Sequence, residues 1–193
     1  MAVSASETGQ LFARARGGSS EALNAFYERS GRKLLALIRL RLGRSLRTEV
    51  ESRDILQSVL LKSFERLSQL KDPGAVMAWL ARMAENEIRD RVDYISRQRR
   101  DVARTVPIED HAEHMPAPVR QALSQLIENE RAERLERALE SLLEAQRNII
   151  VLRKLEELSF AEIGARLGKS EDACRMAFAR AMAALVLRLK DAP

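Results

Sequence analysis

The sequence predicts an all-α protein with two small helical domains joined by a flexible linker, the second ending in a helix-turn-helix. Hydrophobic residues make up 46% of the 193-residue chain but aromatic residues only 4%, and Leu, Ala, Arg and Glu, which favour helices, are abundant. Apolar side chains recur at spacings of three and four, whereas strand-like alternation is rare. These observations argue against an all-β fold.

The placement of charge predicts the domain boundaries. Residues 1–100 hold 19 Lys or Arg and 12 Asp or Glu, residues 101–136 hold 4 and 8, and residues 137–193 hold 10 and 8. The acidic middle part contains three of the five prolines, which disfavour helix in the residue before them. We therefore predict a linker over 101–130, between domains over 1–100 and 131–193.

The first domain is predicted to contain three helices. Helical periodicity covers 20–42, 52–67 and 75–96, and Ser52 is the predicted N-cap of the second helix. The sequence KDPG at 71–74 is typical of a turn and separates the second helix from the third.

The second domain is predicted to begin with a long helix near Asn129 that breaks near 141–144, with apolar side chains that include Leu135. The sequence SFAEIGARLGKSEDACRMAFARAM at 159–182 then predicts two short helices and a tight turn.

Residue types at the helix ends of this module support that prediction. Ser159 and Glu162 have the spacing of a capping box, and Gly168 allows a sharp turn. Ser170 can cap the second helix, where acids at 171–172 face the positive helix end. Helix-turn-helix modules commonly bind DNA, and acids that stabilise the start of a helix do not argue against that function.

Composition also limits the function. The net charge of +5 permits a polyanionic partner, and a single cysteine, Cys174, forms no internal disulfide, as expected in a reducing compartment. The first residues lack the apolar core of a signal peptide, and no apolar run reaches the length of a membrane span, so we expect a soluble, cytoplasmic protein with no membrane partner.

The sequence shows no arrangement of residues typical of catalysis. It contains no phosphate-binding loop or nucleophile motif, and His111 and His114 lie in the predicted linker without a cysteine nearby. We therefore predict no enzyme activity, no cofactor and no metal.

Three stretches together resemble one protein family. SLLEAQRNIIVLRKLEELSFAEIGARLGKSEDACRMAFARA at 141–181, DILQSVLLKSF at 54–64 and AWLARMAENEIRD at 78–90 resemble the extracytoplasmic-function (group IV) sigma factors of bacterial RNA polymerase. Within the second helix of the helix-turn-helix, the family's Thr-Val-Lys/Arg-Ser-Arg pattern is replaced by residues 173–177, ACRMA. This departure removes a hydroxyl and a basic side chain from the expected DNA surface.

The resemblance implies that the first domain is similar to region two of these proteins, which binds core RNA polymerase and opens the −10 promoter element. In that comparison Asn86 supplies an amide for a flipped base, and Leu70 with the loop at 71–77 forms the wall of its pocket. The implied polymerase contacts are Asp54, Ile55, Gln57, Ser58 and Leu61. The implied −10 residues are Leu70, Trp79, Arg82, Asn86, Arg89, Arg97, Arg99 and Arg100.

For the second domain, the resemblance implies recognition of the −35 promoter element by a helix in the major groove. Arg175 is then the best candidate for a base contact and Arg180 for a phosphate contact. The implied −35 residues are Ser170, Arg175, Met176, Ala179 and Arg180.

The resemblance also implies a regulator, either an anti-sigma factor or a Ser/Thr kinase. The sequence TEVESRD at 48–54 has fewer acids than the family usually carries before the polymerase-binding helix, so a phosphate on Thr48 or Ser52 would restore negative charge there.

Two other functions remain open on the sequence. The first is a stand-alone helix-turn-helix regulator with an N-terminal sensor or dimerisation domain. The second is an enzyme with an appended DNA-binding domain. The stretches at 54–64 and 78–90 favour the sigma factor, because neither alternative requires them.

Overall fold

A computed structural model describes residues 6–100, 115–126 and 130–191, and the chain divides into two units, Met1–Leu126 and Ile127–Pro193. All regular elements in these ranges are helical, so the all-α prediction is confirmed. The α-helices of the first unit are α1 (Glu7–Arg16), α2 (Ser20–Leu46), α3 (Ser52–Glu65), α4 (Val76–Arg100) and α5 (Ala117–Ser124). Those of the second unit are α6 (Glu130–Glu140), α7 (Glu144–Ile150), α8 (Phe160–Leu167) and α9 (Glu171–Asp191).

An aromatic cluster lies at the centre of the first unit. The ring of Phe12 on α1 is 5.7 Å from that of Phe26, which contacts Tyr27 at 5.0 Å, and Tyr27 lies 6.1 Å from Phe64 on α3. Contacts between tilted aromatic rings add to the free energy of their burial. The cluster therefore joins α1, α2 and α3 into one core.

Helix α1 was not predicted from the sequence. Its buried residues are Thr8, Gly9 and Phe12, of which two are not large apolar side chains, so the usual periodicity is missing. The helix begins at Ser6, whose Oγ accepts a hydrogen bond of 3.1 Å from the backbone N–H of Gly9. Ser6 therefore acts as an N-cap.

The prediction that Ser52 is the N-cap of α3 is wrong. The cap residue is Glu51, and Ser52 is the first residue inside the helix, with 9% of its surface exposed. Because Ser52 lies inside the helix and is buried, its side chain does not cap α3.

Part of the predicted linker is helical. Helix α5 packs against α2 and α3 and buries Val119 and Ala122. Leu126, just beyond its end, is also buried, and its backbone oxygen accepts a 2.9 Å hydrogen bond from Arg53 Nη2. Prolines at the start of a helix lose no hydrogen bond, so Pro116 and Pro118 begin this helix without breaking it. The rest of that predicted linker, 101–114 and 127–129, lies outside the described residues.

In the second unit the predicted helix break is present between α6 and α7. Leu139, Leu142 and Ile150 are buried, but Leu135 is 41% exposed and is not a core residue as predicted. A short π-helix, Val151–Leu155, continues α7. Glu157, two residues after its end, has a positive φ of 60°.

Within the described ranges, none of the helices is long and apolar enough to cross a membrane.

Candidate nucleic-acid interface

The helix-turn-helix predicted for 159–182 is formed by α8 and α9. Ser159 Oγ accepts from the backbone N–H of Glu162 at 3.2 Å, and Glu162 Oε2 accepts from that of Ser159 at 2.7 Å, which is the predicted capping box. Gly168, at the end of α8, has a left-handed backbone conformation with φ 65° and ψ 36°. Ser170 Oγ accepts from Ala173 N–H at 3.2 Å and caps α9 as predicted.

The two faces of α9 have different environments. Cys174, Ala181 and Leu185 are buried against the rest of the unit, and Phe178 is half-buried. The opposite face is exposed along one helical stripe. It consists of Arg175, Met176, Ala179 and Arg180, the residues predicted to reach the −35 element.

Arg175 is held within its own unit. Its Nη2 lies 2.7 Å from Glu171 Oε1, and its guanidinium lies 5.1 Å from the ring centre of Phe160. An exposed ion pair one helical turn apart is worth about 0.3–0.5 kcal/mol, so a DNA phosphate or base can replace Glu171 at small cost. The first-turn acids therefore orient Arg175 as well as stabilise the start of the helix.

Two further basic side chains, which were not predicted from the sequence, contact the aromatic pair against which Arg175 lies. The Arg153 guanidinium lies 4.9 Å from the ring centre of Phe160, and Lys154 Nζ lies 5.7 Å from that of Phe178. The two rings pack against each other with centres 5.6 Å apart. Arg153 and Lys154 precede the helix-turn-helix in the chain, and no spacing rule connects them with Arg175. Arg153, which is half-buried and donates a 2.9 Å hydrogen bond to the backbone oxygen of Leu158, and the exposed Lys154 therefore lie around the same pair of rings as Arg175.

A second exposed surface lies on α4. Trp79, Arg82, Asn86 and Arg89 follow each other at spacings of three and four, so they share one helix face. Arg82, Asn86 and Arg89 are exposed and Trp79 is half-buried. In the described ranges, neither arginine of this stripe forms an ion pair.

The acids on either side of Asn86 form ion pairs with neighbouring helices. Glu85 Oε1 lies 3.1 Å from Arg41 Nη2 on α2, and Glu87 pairs with Lys62 on α3. Because these carboxylates are neutralised by α2 and α3, the face around Asn86 repels a polyanion less. This is the face that the sequence assigned to the −10 element.

The other predicted −10 residues lie at the two ends of this surface. Leu70 is half-buried in the loop before α4, and Arg97 is exposed near the end of the helix. Arg99 and Arg100 form the last residues of α4, and their side chains are outside the described part.

The predicted polymerase contacts on α3 divide by burial. Asp54 is exposed, and Gln57, Ser58 and Leu61 are half-buried. Ile55 is 0% exposed and belongs to the core, so it is not available for a partner as predicted. The helical period turns Ile55 inward when Asp54 and Ser58 face outward.

The two predicted phosphorylation sites also differ in exposure. Thr48 is exposed in the connection between α2 and α3, whereas Ser52 is buried at the start of α3. Across the described residues, no group of three or more His, Cys, Asp or Glu could hold a metal ion, and His111 and His114 lie outside those ranges.

Comparison with known proteins identifies the class of the second unit. Residues 132–185 match the family described as Sigma-70, region 4. The match includes the helix-turn-helix and the helices before it.

Whole-chain relatives define the family. The chain is 32% identical over 139 residues to the ECF RNA polymerase sigma factor SigF of Caulobacter vibrioides, covering 72% of this chain and 71% of SigF. It is 29% identical over 182 residues to the ECF RNA polymerase sigma factor SigD of Mycobacterium tuberculosis, covering 94% and 81%. A crystal structure of the sigma factor RpoE with the anti-sigma factor NepR from Bartonella quintana aligns at 20% identity over 86% of this chain and 94% of that one, with a TM-score of 0.48. The chain belongs to the ECF RNA polymerase sigma factors.

Proposed function

We propose that this sigma factor binds core RNA polymerase and directs it to a specific class of promoters, with no catalytic activity of its own and in the cytoplasm. The first unit would bind polymerase and open the −10 element, and the second would bind the −35 element. The observation that carries this proposal is the stripe on α4 in which the amide of Asn86 and the basic side chains of Arg82 and Arg89 are exposed beside the half-buried ring of Trp79. A stand-alone regulator has no use for such a surface in addition to a separate DNA-reading helix.

At the −10 element, the stripe and the loop before it have complementary roles. Asn86 would bind the edge of a flipped base and Leu70 would form part of its wall, because an extruded base needs polar contacts at its edge and apolar contacts at its faces. Arg82, Arg89 and Arg97 would follow the phosphates, which gives affinity without sequence reading.

At the −35 element, α9 would lie in the major groove. Arg175 would contact a base, and Met176, which is 56% exposed, has the apolar surface that suits a thymine methyl group. Arg180, together with Arg153 and Lys154, would bind phosphates. This larger set of basic side chains compensates for the small number of basic residues on the exposed face of α9.

On α3, Asp54, Gln57, Ser58 and Leu61 would contact core polymerase. Thr48 is the better of the two candidate phosphorylation sites, because a kinase must reach the hydroxyl and Ser52 is buried. A phosphate on Thr48 would add negative charge beside this surface. The regulatory partner would be a Ser/Thr kinase or an anti-sigma factor.

In vitro transcription with core polymerase and a pool of genomic promoters tests the proposal. Both the unmodified protein and its Thr48→Glu variant should be included, and a defined subset of promoters should yield transcripts. Absence of promoter-specific transcripts with either protein would contradict the proposed function.

Arg175→Ala should weaken −35-dependent initiation by about 1–3 kcal/mol, because one bidentate contact with guanine is lost. The measurement is the affinity of holoenzyme for promoters that vary at each −35 position. Equal loss on all sequences would show that Arg175 contacts a phosphate. Lys169→Ala, which removes an exposed positive charge from the turn, is the control for charge.

Asn86→Ala should slow promoter opening while leaving polymerase binding unchanged, because the side chain is exposed and makes no contact that holds the core. Permanganate reactivity of unpaired thymines measures the opening, and co-migration with core polymerase measures binding. Loss of both would mean that Asn86 is needed for the fold of the first unit.

A further inference from the structure

Helix α1 contacts the loop between α3 and α4 at two separate places. This loop, residues 66–75, contains two short 3₁₀ turns, Leu67–Gln69 and Pro73–Ala75, and neither turn has a buried residue. A segment that buries so little of itself depends on neighbouring groups for a single conformation.

The first contact is made by Arg16 at the end of α1. Its Nη1 donates to the backbone oxygen of Leu70 at 3.0 Å and to that of Lys71 at 3.3 Å. The guanidinium also lies 5.9 Å from the ring centre of Phe12, which is fully buried in the aromatic core. Arg16, whose own side chain is exposed, therefore links the loop to a residue of the aromatic core.

The second contact is a close approach of two backbones. A Cβ atom added to Gly9 would lie 2.7 Å from the backbone oxygen of Pro73, a distance shorter than real Cβ contacts allow. The next residues of the loop are fixed locally, since Asp72 Oδ1 accepts from Gly74 N–H at 2.8 Å.

Helix α1 is itself held firmly on the unit. Glu7 Oε2 lies 2.6 Å from Arg29 Nη2 on α2, and Lys33 Nζ donates to the buried Thr8 Oγ1 at 3.4 Å. A helix anchored at its start on α2 and in its middle on the aromatic core can impose its position on the loop.

We propose that α1 is a brace that sets the conformation of the loop at 66–75, and that Arg16 and Gly9 are positioning residues for capture of the flipped −10 base. The proposal rests on the proposed function, because the value of an ordered loop lies in the pocket wall that Leu70 would provide. Neither residue needs to touch DNA. Their effect is to keep the wall in place before the base arrives, so that binding does not have to order it.

The test compares Arg16→Ala and Arg16→Lys with Arg14→Ala in the full chain assembled with core polymerase. Arg14 is an exposed arginine on the same helix, so its loss changes the charge equally but breaks no contact with the loop. The readout is the affinity for a single-stranded oligonucleotide carrying the −10 sequence of the non-template strand, with discrimination at the captured base.

Arg16→Ala should lower that affinity by about 5- to 10-fold, because two hydrogen bonds that favour the ordered loop are lost. Arg16→Lys should recover only part of it, because an ammonium keeps the charge but lacks the planar fork. Arg14→Ala should stay within about twofold. Equal losses for Arg14→Ala and Arg16→Ala, or full recovery with Arg16→Lys, would show that Arg16 acts through its charge and would overturn the proposal.

Gly9→Ala tests the second contact, with Gly31→Ala on α2 as its control. At Gly31 an added Cβ would meet the nearest atom, Leu60 Cδ1, at an ordinary 3.9 Å. Gly9→Ala should displace the loop and lower the oligonucleotide affinity, whereas Gly31→Ala should leave it unchanged.

Hydrogen exchange of the free full-length chain separates this proposal from the proposed function. In Arg16→Ala and Gly9→Ala, amides of 66–76 should exchange faster while those of α2 and α3 keep their protection. If the loop amides do not change, the brace does not exist. If they exchange faster but the −10 affinity matches that of the controls, the loop is braced without being positioned for DNA. If the wild-type holoenzyme does not bind the oligonucleotide, the proposed function fails whatever the exchange shows.

Discussion

Single residues decide how this protein presents its basic groups. Arg175 is exposed, yet it pairs with Glu171 and lies over Phe160, so these contacts favour one orientation of its side chain in the free protein. Asn86 is exposed, and its acidic neighbours, Glu85 and Glu87, are paired with Arg41 on α2 and Lys62 on α3. In both cases a nearby carboxylate positions or frees the group that would read DNA.

Glu157 has a backbone conformation that residues other than glycine rarely adopt. It has φ 60°, the only positive value for a non-glycine residue in the described ranges. A left-handed conformation costs an L-residue roughly 1–2 kcal/mol, whereas glycine adopts it freely but loses more entropy on folding.

We therefore expect Glu157→Gly to stabilise the second unit by about 0.5–1 kcal/mol. The measurement is the free energy of unfolding by urea. Glu157→Ala keeps the Cβ atom and should give no such gain. An equal gain from both variants would locate the effect in the carboxylate and not in the backbone.

At the scale of elements, α5 changes the limits of the first unit. Its two buried residues, Val119 and Ala122, pack it against α2 and α3, which include the proposed polymerase-binding helix, and Arg53 on α3 donates a hydrogen bond to Leu126 just after its end. The first unit thus includes part of the chain that composition assigned to a linker.

Val119→Ala should destabilise the first unit by about 1–3 kcal/mol, because the Val119 side chain is fully buried and its loss leaves a cavity. Thermal unfolding followed by circular dichroism measures the change. Gln121→Ala, at an exposed position of the same helix, should be close to neutral. If Val119→Ala were equally neutral, α5 would not be part of the folded core in solution.

At the scale of the whole molecule, each unit has its own core, and the first has a group that limits its stability at high pH. Burial raises the pKa of Tyr27 from 10.0 to about 12, and a hydrogen bond from Ser63 opposes this shift. Folding therefore favours the neutral phenol. The resulting stability is fully present below pH 10 and is lost as the pH rises from about 10 to about 12.

A pKa shift of this size corresponds to a loss of about 2–3 kcal/mol across that range. The free energy of unfolding should fall less steeply above pH 10 in Tyr27→Phe than in the wild type. Tyr94→Phe, which removes the other tyrosine, provides the control. Parallel curves for Tyr27→Phe and the wild type would show that the phenol is not responsible.

Much of the second unit could be predicted from local sequence. Ser159 with Glu162, Gly168 and Ser170 each act within a few residues, so their spacing alone predicted the capping box, the turn and the start of α9. In the first unit, Trp79, Arg82 and Asn86 were assigned to one DNA surface by the resemblance to sigma factors, and their spacing places them on one face of α4. The resemblance to sigma factors rested on these local patterns, and the whole-chain relatives confirm it.

What the sequence determined by itself is therefore the helical class, the order of most helices and the family, because these depend on contacts between residues near each other in the chain. The tertiary structure alone decided that Ile55 is buried, that α5 belongs to the first unit, that Arg153 and Lys154 join Arg175, and that Arg16 holds the loop at 70–71. Each of these depends on packing between residues distant in sequence. Burial and close approach between helices are set by the whole unit, and no short window of sequence contains them.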